Sequence, residues 1–324
     1  MKSLQIFADS NLGPAAMELL QSGVEPHQLV VPKSRPASIL SNPEPDPGIQ
    51  GADIAFGQPD VESIRNSPAL KWLHVSTAGF TRYDTPEFRA MAQERGLVVT
   101  NSSRVYASSC AEHTLAFMLA QSRRLPALLQ SRAANGDSEW LSLRDSSISL
   151  RGQNLVILGY GAIAQELVKY LAPFEMKITA MRRTPKGDED IPIVAIENLD
   201  EVLGAADHVV SILPENSASL NFIDFTKLAK FKKGAVFYNI GRGTTVNQAD
   251  LLESLQAGHL AAAWLDVTDP EPLPVDHPLR LQANCFISPH TAGGHANESL
   301  TLVRHFLENF DRFQSGSPLL DRIM

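Results

Sequence analysis

The stretch Leu155-Val156-Ile157-Leu158-Gly159-Tyr160-Gly161-Ala162-Ile163-Ala164 decides the fold class. An apolar run ends in two closely spaced glycines, the helical run Gln165 to Leu171 follows, and a second apolar run, Ile178 to Met181, comes next. Strand, glycine turn, helix and strand in that order make a βαβ unit. Gly159 permits the tight turn, and Gly161 lets the backbone approach a pyrophosphate. Ala164 takes the third small position, where helix and sheet pack closely. The helix N-terminus, at Ala162 and Ile163, would face the phosphates with its N–H groups. This context predicts a dinucleotide site rather than an ordinary glycine-rich turn.

An acidic residue is expected about 20 positions on, to hydrogen-bond the ribose hydroxyls of NAD. The second strand ends instead in Met181-Arg182-Arg183-Thr184. Arg182 and Arg183 suit a 2′-phosphate, because guanidinium offers charge-assisted forks to phosphate oxygens. NADP is therefore the expected cofactor, with NAD possible; the alternative is two solvated arginines at a strand end.

The chain has 324 residues, 44% of them hydrophobic, enough for two domains. A net charge of −8 argues against a nucleic-acid partner or an anionic membrane surface, either of which needs a basic field. Cys110 and Cys285 match no metal spacing, so no metal is expected, and a reducing, cytoplasmic compartment fits them better than a disulfide framework. The N-terminus turns polar too soon for a signal peptide, and no uncharged apolar run nears the roughly 18 residues of a membrane span.

Leu4 to Phe7, Leu29 to Val31, Ile54 to Phe56, Trp72 to Val75 and Leu97 to Thr100 read as strands of a first α/β domain, with Pro32 to Gly48 as a Pro- and Ser-rich surface loop. Ser108 to Leu129 reads as a long helix ending near Arg123-Arg124-Leu125-Pro126. Further strands follow at His208 to Leu213, Ala235 to Ile240, Ala261 to Leu265 and Cys285 to Ile287. Repeated β and α units imply a doubly wound parallel sheet of Rossmann type. The segment 297–324 reads as an amphipathic helix and tail that cross back to complete the first domain. The expected division is 1–101 plus 296–324 for a smaller, flavodoxin-like substrate domain and 102–295 for the dinucleotide domain.

Three further stretches each sit just past a strand, where open α/β sheets bind ligands: Asn239-Ile240-Gly241-Arg242-Gly243, Trp264-Leu265-Asp266-Val267 with Glu271-Pro272, and Ser288-Pro289-His290. Singly, Arg242 could be a phosphate or helix-end contact, Glu271 a solvated acid and His290 a loop histidine. Together they suit hydride transfer beside a nicotinamide. With Gly258-His259-Leu260-Ala261-Ala262-Ala263, Ala111-Glu112-His113 and Leu213-Pro214-Glu215, the chain resembles the D-isomer-specific 2-hydroxyacid dehydrogenase family across most of residues 70 to 320.

That resemblance implies that Arg242, Glu271 and His290 carry catalysis. It further implies that Leu213, Pro214, Ile240, Arg242, Asp266 and His290 line the cofactor, Asp266 accepting from the nicotinamide amide. The loop after Trp72 to Val75 would hold the substrate's carboxylate on the N–H groups of Ala78 and Gly79, with Arg242. Thr81 departs from the family pattern, where an Asp is usual. Phe80, Arg82 and Tyr83 read equally as pocket or packing.

Reduction of a 2-oxo acid puts negative charge on the ketone oxygen, so a proton donor is needed. His290 suits the task, and a carboxylate beside it favours the imidazolium. His295 is the rival donor, outside the signature. The family includes glyoxylate and hydroxypyruvate reductases and D-lactate, phosphoglycerate and formate dehydrogenases. The arginines favour a glyoxylate- or hydroxypyruvate-like reductase using NADPH, with a dinucleotide-sensing, corepressor-like binding protein as the alternative. Arg124 to Leu150, with Trp140, Leu141, Leu143 and Ile148, has no place in the sheet. In family members the corresponding arm embraces a partner, which implies a homodimer.

Overall fold

The computed structural model describes residues 3–32, 43–185, 187 and 189–324. The chain divides into two compact units, Met1–Tyr106 with Gly294–Met324, and Ala107–Gly293.

The first unit is built on five parallel strands, β1 (Gln5–Ala8), β2 (Gln28–Val30), β3 (Ile54–Gly57), β4 (Trp72–Val75) and β5 (Val98–Thr100), in the order β2-β1-β3-β4-β5. This is the flavodoxin order. β3 and β4 are buried throughout, so they read as apolar runs interrupted by the buried His74 rather than as alternating ones.

The helix Glu298–Ser315 buries Leu302, Val303, Phe306 and Phe310, spaced to share one face. Phe306 stacks on Phe56 at 4.4 Å and on Trp72 at 5.2 Å, so this segment completes the sheet's core. Beyond it, Ile323 N–H donates to the Val99 carbonyl at 2.9 Å and Val99 N–H to that of Met324 at 3.2 Å. The tail thus covers the open edge of β5, a pairing that no apolar run in 316–324 announces. Of the expected loop Pro32 to Gly48, residues 33–42 lie outside the described residues, and Pro47–Ile49 form a 3-10 turn that buries Ile49.

The second unit has seven parallel strands, β6 (Asn154–Leu158), β7 (Lys177–Met181), β8 (Ile193–Val194), β9 (His208–Ser211), β10 (Val236–Asn239), β11 (Ala262–Leu265) and β12 (Cys285–Ile287). They run in the order β12-β11-β10-β9-β6-β7-β8. Apolar clusters cover both faces, making the sheet doubly wound, and the order reverses between β6 and β9. β8 escapes sequence reading because two residues carry no periodicity.

The long helix differs from expectation at its start and ends where expected, near Arg123. The long helix begins at Ser103 rather than Ser108, its polar first turn being held by Asn101 Oδ1, which accepts from Ser103 N–H at 3.3 Å. It stops at Ser122 because Arg124 takes a left-handed φ of 55°, and Leu125–Gln130 forms a separate helix opened by Pro126. Pro126 has no N–H to donate to the Ser122 carbonyl and its ring would clash with it, so the run to Leu129 cannot stay continuous.

Candidate active site

Because the second sheet is wholly parallel, the turns after β6, β7, β9, β10, β11 and β12 all emerge at one edge. Gly159 leaves β6 with a φ of 99°, and a Cβ there would stand 3.1 Å from the Ile212 carbonyl oxygen. Gly161 precedes the helix Ala162–Leu171, whose first N–H groups no side chain caps. A Cβ on Gly161 would meet no described atom within 4 Å. Uncapped N–H groups facing open space fit a dinucleotide's pyrophosphate.

The neighbouring β10 turn is tightly walled. A Cβ on Gly241 would lie 2.6 Å from the Leu213 carbonyl oxygen, and one on Gly243 would lie 2.0 Å from the Thr268 carbonyl carbon. Only glycines fit on either side of Arg242, so its backbone is wedged between the turns after β9 and β11. Asn239 Nδ2 and Thr245 Oγ1 both donate to the Arg242 carbonyl, at 3.0 and 2.7 Å, and Arg242 Nη1 donates to the Gly241 carbonyl at 2.6 Å.

Glu271 and His290, on different loops, come together with Oε1 2.5 Å from Nδ1. His290 has a φ of 51°, a left-handed conformation that costs a non-glycine residue energy and must be held by its surroundings. Asp266, 2% exposed, does much of the holding. Its Oδ1 accepts from Ser288 Oγ at 2.5 Å and Thr291 N–H at 2.9 Å, its Oδ2 from Ala292 N–H at 3.0 Å, and its carbonyl from His290 N–H at 2.9 Å. His113 Nε2, 3.3 Å from Ser288 Oγ, backs the cluster from the long helix.

At the end of β7, Arg182 Nη1 pairs with Glu189 Oε1 at 3.1 Å, while Arg183 is exposed. Leu213 and Ile240 are buried, and Pro214 offers its carbonyl to Ser219 Oγ at 2.5 Å.

A family model described as the NAD binding domain of D-isomer specific 2-hydroxyacid dehydrogenases matches residues 115–292, more than half of the chain. The chain belongs to this family. Among its relatives are the human glyoxylate reductase/hydroxypyruvate reductase, 34% identical over 68% of this chain and 67% of its own length, and the glyoxylate reductase of Aeropyrum pernix, 28% identical over 98% and 94%. A solved structure, the NADPH-dependent glyoxylate/hydroxypyruvate reductase of Sinorhizobium meliloti with NADP and malonate, superposes with a TM-score of 0.74 at 24% identity, covering 99% of this chain and 97% of that one.

In this 2-hydroxyacid dehydrogenase the loop after β4 belongs to the first unit. Asn101 Nδ2 donates to the Ala78 carbonyl and Thr77 Oγ1 to that of Gly79, both at 2.7 Å. No acceptor among the described residues takes the N–H of Ala78 or Gly79. Tyr83 is core, its hydroxyl donating to the Pro59 carbonyl at 2.8 Å, and Arg82 donates to that of Gln58 at 3.3 Å. His295 is exposed in the first unit. Burial pushes both Cys110 and Cys285 up to about 12, which leaves their thiols protonated and unreactive.

The sequence offered no role for two participants, although one of them stands in the His290 stretch. Ser288 and Glu189 become legible only once the chain folds, because each acts on a partner set by tertiary contact rather than by motif.

Proposed function

We propose that this family member reduces a small 2-oxo acid of the glyoxylate or hydroxypyruvate kind to its D-2-hydroxy acid, preferring NADPH. The observation that carries the reading is the Glu271–His290 pair, positioned at the sheet edge where the glycine turn opens. The bound dinucleotide, when reduced, supplies the hydride. With Nδ1 engaged by Glu271, which fixes the ring's orientation, His290 presents Nε2 to deliver the proton to the ketone oxygen. Arg242 supplies permanent charge for the acid's carboxylate and polarised carbonyl. Asp266 holds the His290 loop and accepts from the nicotinamide amide. In the first unit, the N–H groups of Ala78 and Gly79 are assigned to a carboxylate.

The glyoxylate reductase relatives support the substrate class, and the arginines after β7 support the phosphorylated cofactor. One charge-assisted contact to the 2′-phosphate, worth about 1.5 to 3 kcal/mol, corresponds to about a tenfold or larger preference for NADPH. Two buried, free thiols suit a cytoplasmic setting. The exposed apolar side chains of 124–150 suit a homodimer formed through the second unit.

A panel of 2-oxo acids assayed with NADPH and NADH tests the reading. Turnover of glyoxylate or hydroxypyruvate with NADPH favoured is expected, and Arg182→Asp should invert the preference. Tight dinucleotide binding with no turnover of any 2-oxo acid would overturn the assignment in favour of a sensing protein.

A further inference from the structure

Arg182 directly follows β7, and Glu189, seven residues on, lies beside it. Glu189 is held from two sides: Oε1 by Arg182 Nη1 at 3.1 Å, and Oε2 by the Gly187 N–H at 2.8 Å. Its side chain is 5% exposed, against 24% for Arg182, so this is a seated pair rather than a surface encounter. Both residues line a recess of about 240 Å³ with Tyr160, Gln165, Lys169 and Asp190. Tyr160 lies between the two glycines of the dinucleotide turn, which places the recess directly beside that turn. Among the described lining residues the other cation is Lys169, which is also engaged, its Nζ 2.6 Å from Glu166 Oε1.

A phosphate drawn to Arg182 therefore meets a guanidinium that already holds a carboxylate, with the Asp190 carboxylate on the same wall. Guanidinium has five N–H donors, so it can turn part of its fork to a second anion, but carboxylate and phosphate repel each other across it. A ribose hydroxyl carries no charge and meets no such opposition.

Resting on the NADPH reading above, we propose that Glu189 is a specificity-determining residue: an internal carboxylate that competes with the cofactor's 2′-phosphate for Arg182. The acid missing from the end of β7 is thereby supplied from the following loop, where it restrains the preference that Arg182 confers.

The test is equilibrium binding of NADP+ and NAD+ to the full chain, followed by calorimetry, for the wild type, Glu189→Gln, Glu189→Ala, Arg182→Ala and the Arg182→Ala/Glu189→Gln double variant. The quantity read is the ratio of the NAD+ to the NADP+ dissociation constant. Both Glu189 variants should raise it by about five- to tenfold, the scale of one nearby charge removed from a partly screened site. Arg182→Ala should lower the ratio, and on that background Glu189→Gln should no longer raise it.

An unchanged or lowered ratio in both Glu189 variants, with Arg182→Ala still costing NADP+ affinity, would overturn the competition and leave the cofactor reading standing. A gain that persists without Arg182 would also overturn it. A ratio indifferent to Arg182→Ala would remove the NADPH reading itself, and the competition with it.

Discussion

His290 Nδ1 stands 2.5 Å from Glu271 Oε1, though the two residues are 19 positions apart and follow different strands. That contact fixes which ring nitrogen remains to act on a substrate. His290→Ala should therefore lower kcat by about 10²- to 10⁴-fold, the usual contribution of a positioned general acid, while dinucleotide binding survives. Glu271→Gln should lower kcat by loosening the orientation of the imidazole, without abolishing turnover. Full activity in His290→Ala would remove it as proton donor and turn attention to His295.

Arg242→Lys should not restore function lost in Arg242→Ala. An ammonium keeps the charge but cannot reproduce a bidentate fork to a carboxylate. A lysine variant with kcat/KM close to wild type would show that charge alone suffices.

Two glycines of the second unit should fail differently. Gly243→Ala puts a Cβ 2.0 Å from the Thr268 backbone, so thermal unfolding should reveal a loss of about 1 to 3 kcal/mol, typical of overpacking. Gly161→Ala meets nothing within 4 Å, and its φ of −106° suits any residue, so stability should change by no more than about 0.5 kcal/mol. Its methyl occupies the space assigned to the pyrophosphate, so binding of NAD+ and NADP+ should weaken together. Undiminished binding in Gly161→Ala would remove the turn from the cofactor site.

Acid should weaken the two units unequally. His208 is 4% exposed, with Nε2 2.6 Å from Gln153 Oε1 and Nδ1 3.0 Å from the Tyr238 hydroxyl, partners that satisfy a neutral ring. Burial pushes it down to about 4, whereas an unfolded imidazole titrates near 6.5. Between those values the unfolded chain binds the extra proton, so this stabilisation is full above about pH 6.5 and falls by about 1.4 kcal/mol per pH unit towards pH 4. In the first unit, burial lowers His74 to about 3 and raises Asp9 to about 6. Asp9 takes its proton first in the folded state and gains stability as pH falls, which offsets His74 between about pH 6 and 4. Hydrogen exchange at several pH values should show the second unit losing protection first, and His208→Gln should flatten its slope. Equal losses in both units would count against this account.

Leu129 is 83% exposed on Leu125–Gln130, and Leu141 and Ile148 are exposed nearby in sequence. Light scattering at micromolar concentration should return about twice the 35.3 kDa chain mass, and Leu129→Glu should shift it towards the monomer. A wild-type mass of one chain would refute the dimer.

The local signals in the sequence sufficed for the sheet strands and the glycine turn, because apolar runs bounded by glycine and polar residues carry that information within a few positions. Trp72 to Val75 and Cys285 to Ile287 are strands at the very bounds their residues suggest. The polar first turn at Ser103 and the two-residue β8 carry no such pattern, and neither was legible.

By itself the sequence determined that a parallel α/β sheet would present a glycine turn, Arg242, Glu271 and His290 at strand ends, since a strand's C-terminal edge is a matter of chain direction. Tertiary structure alone decided that Glu271 reaches His290, that Asp266 binds the loop on which His290 is strained, and that Arg182 carries Glu189. Such pairings depend on how loops of different strands fold over one edge, and no spacing along the chain encodes that distance.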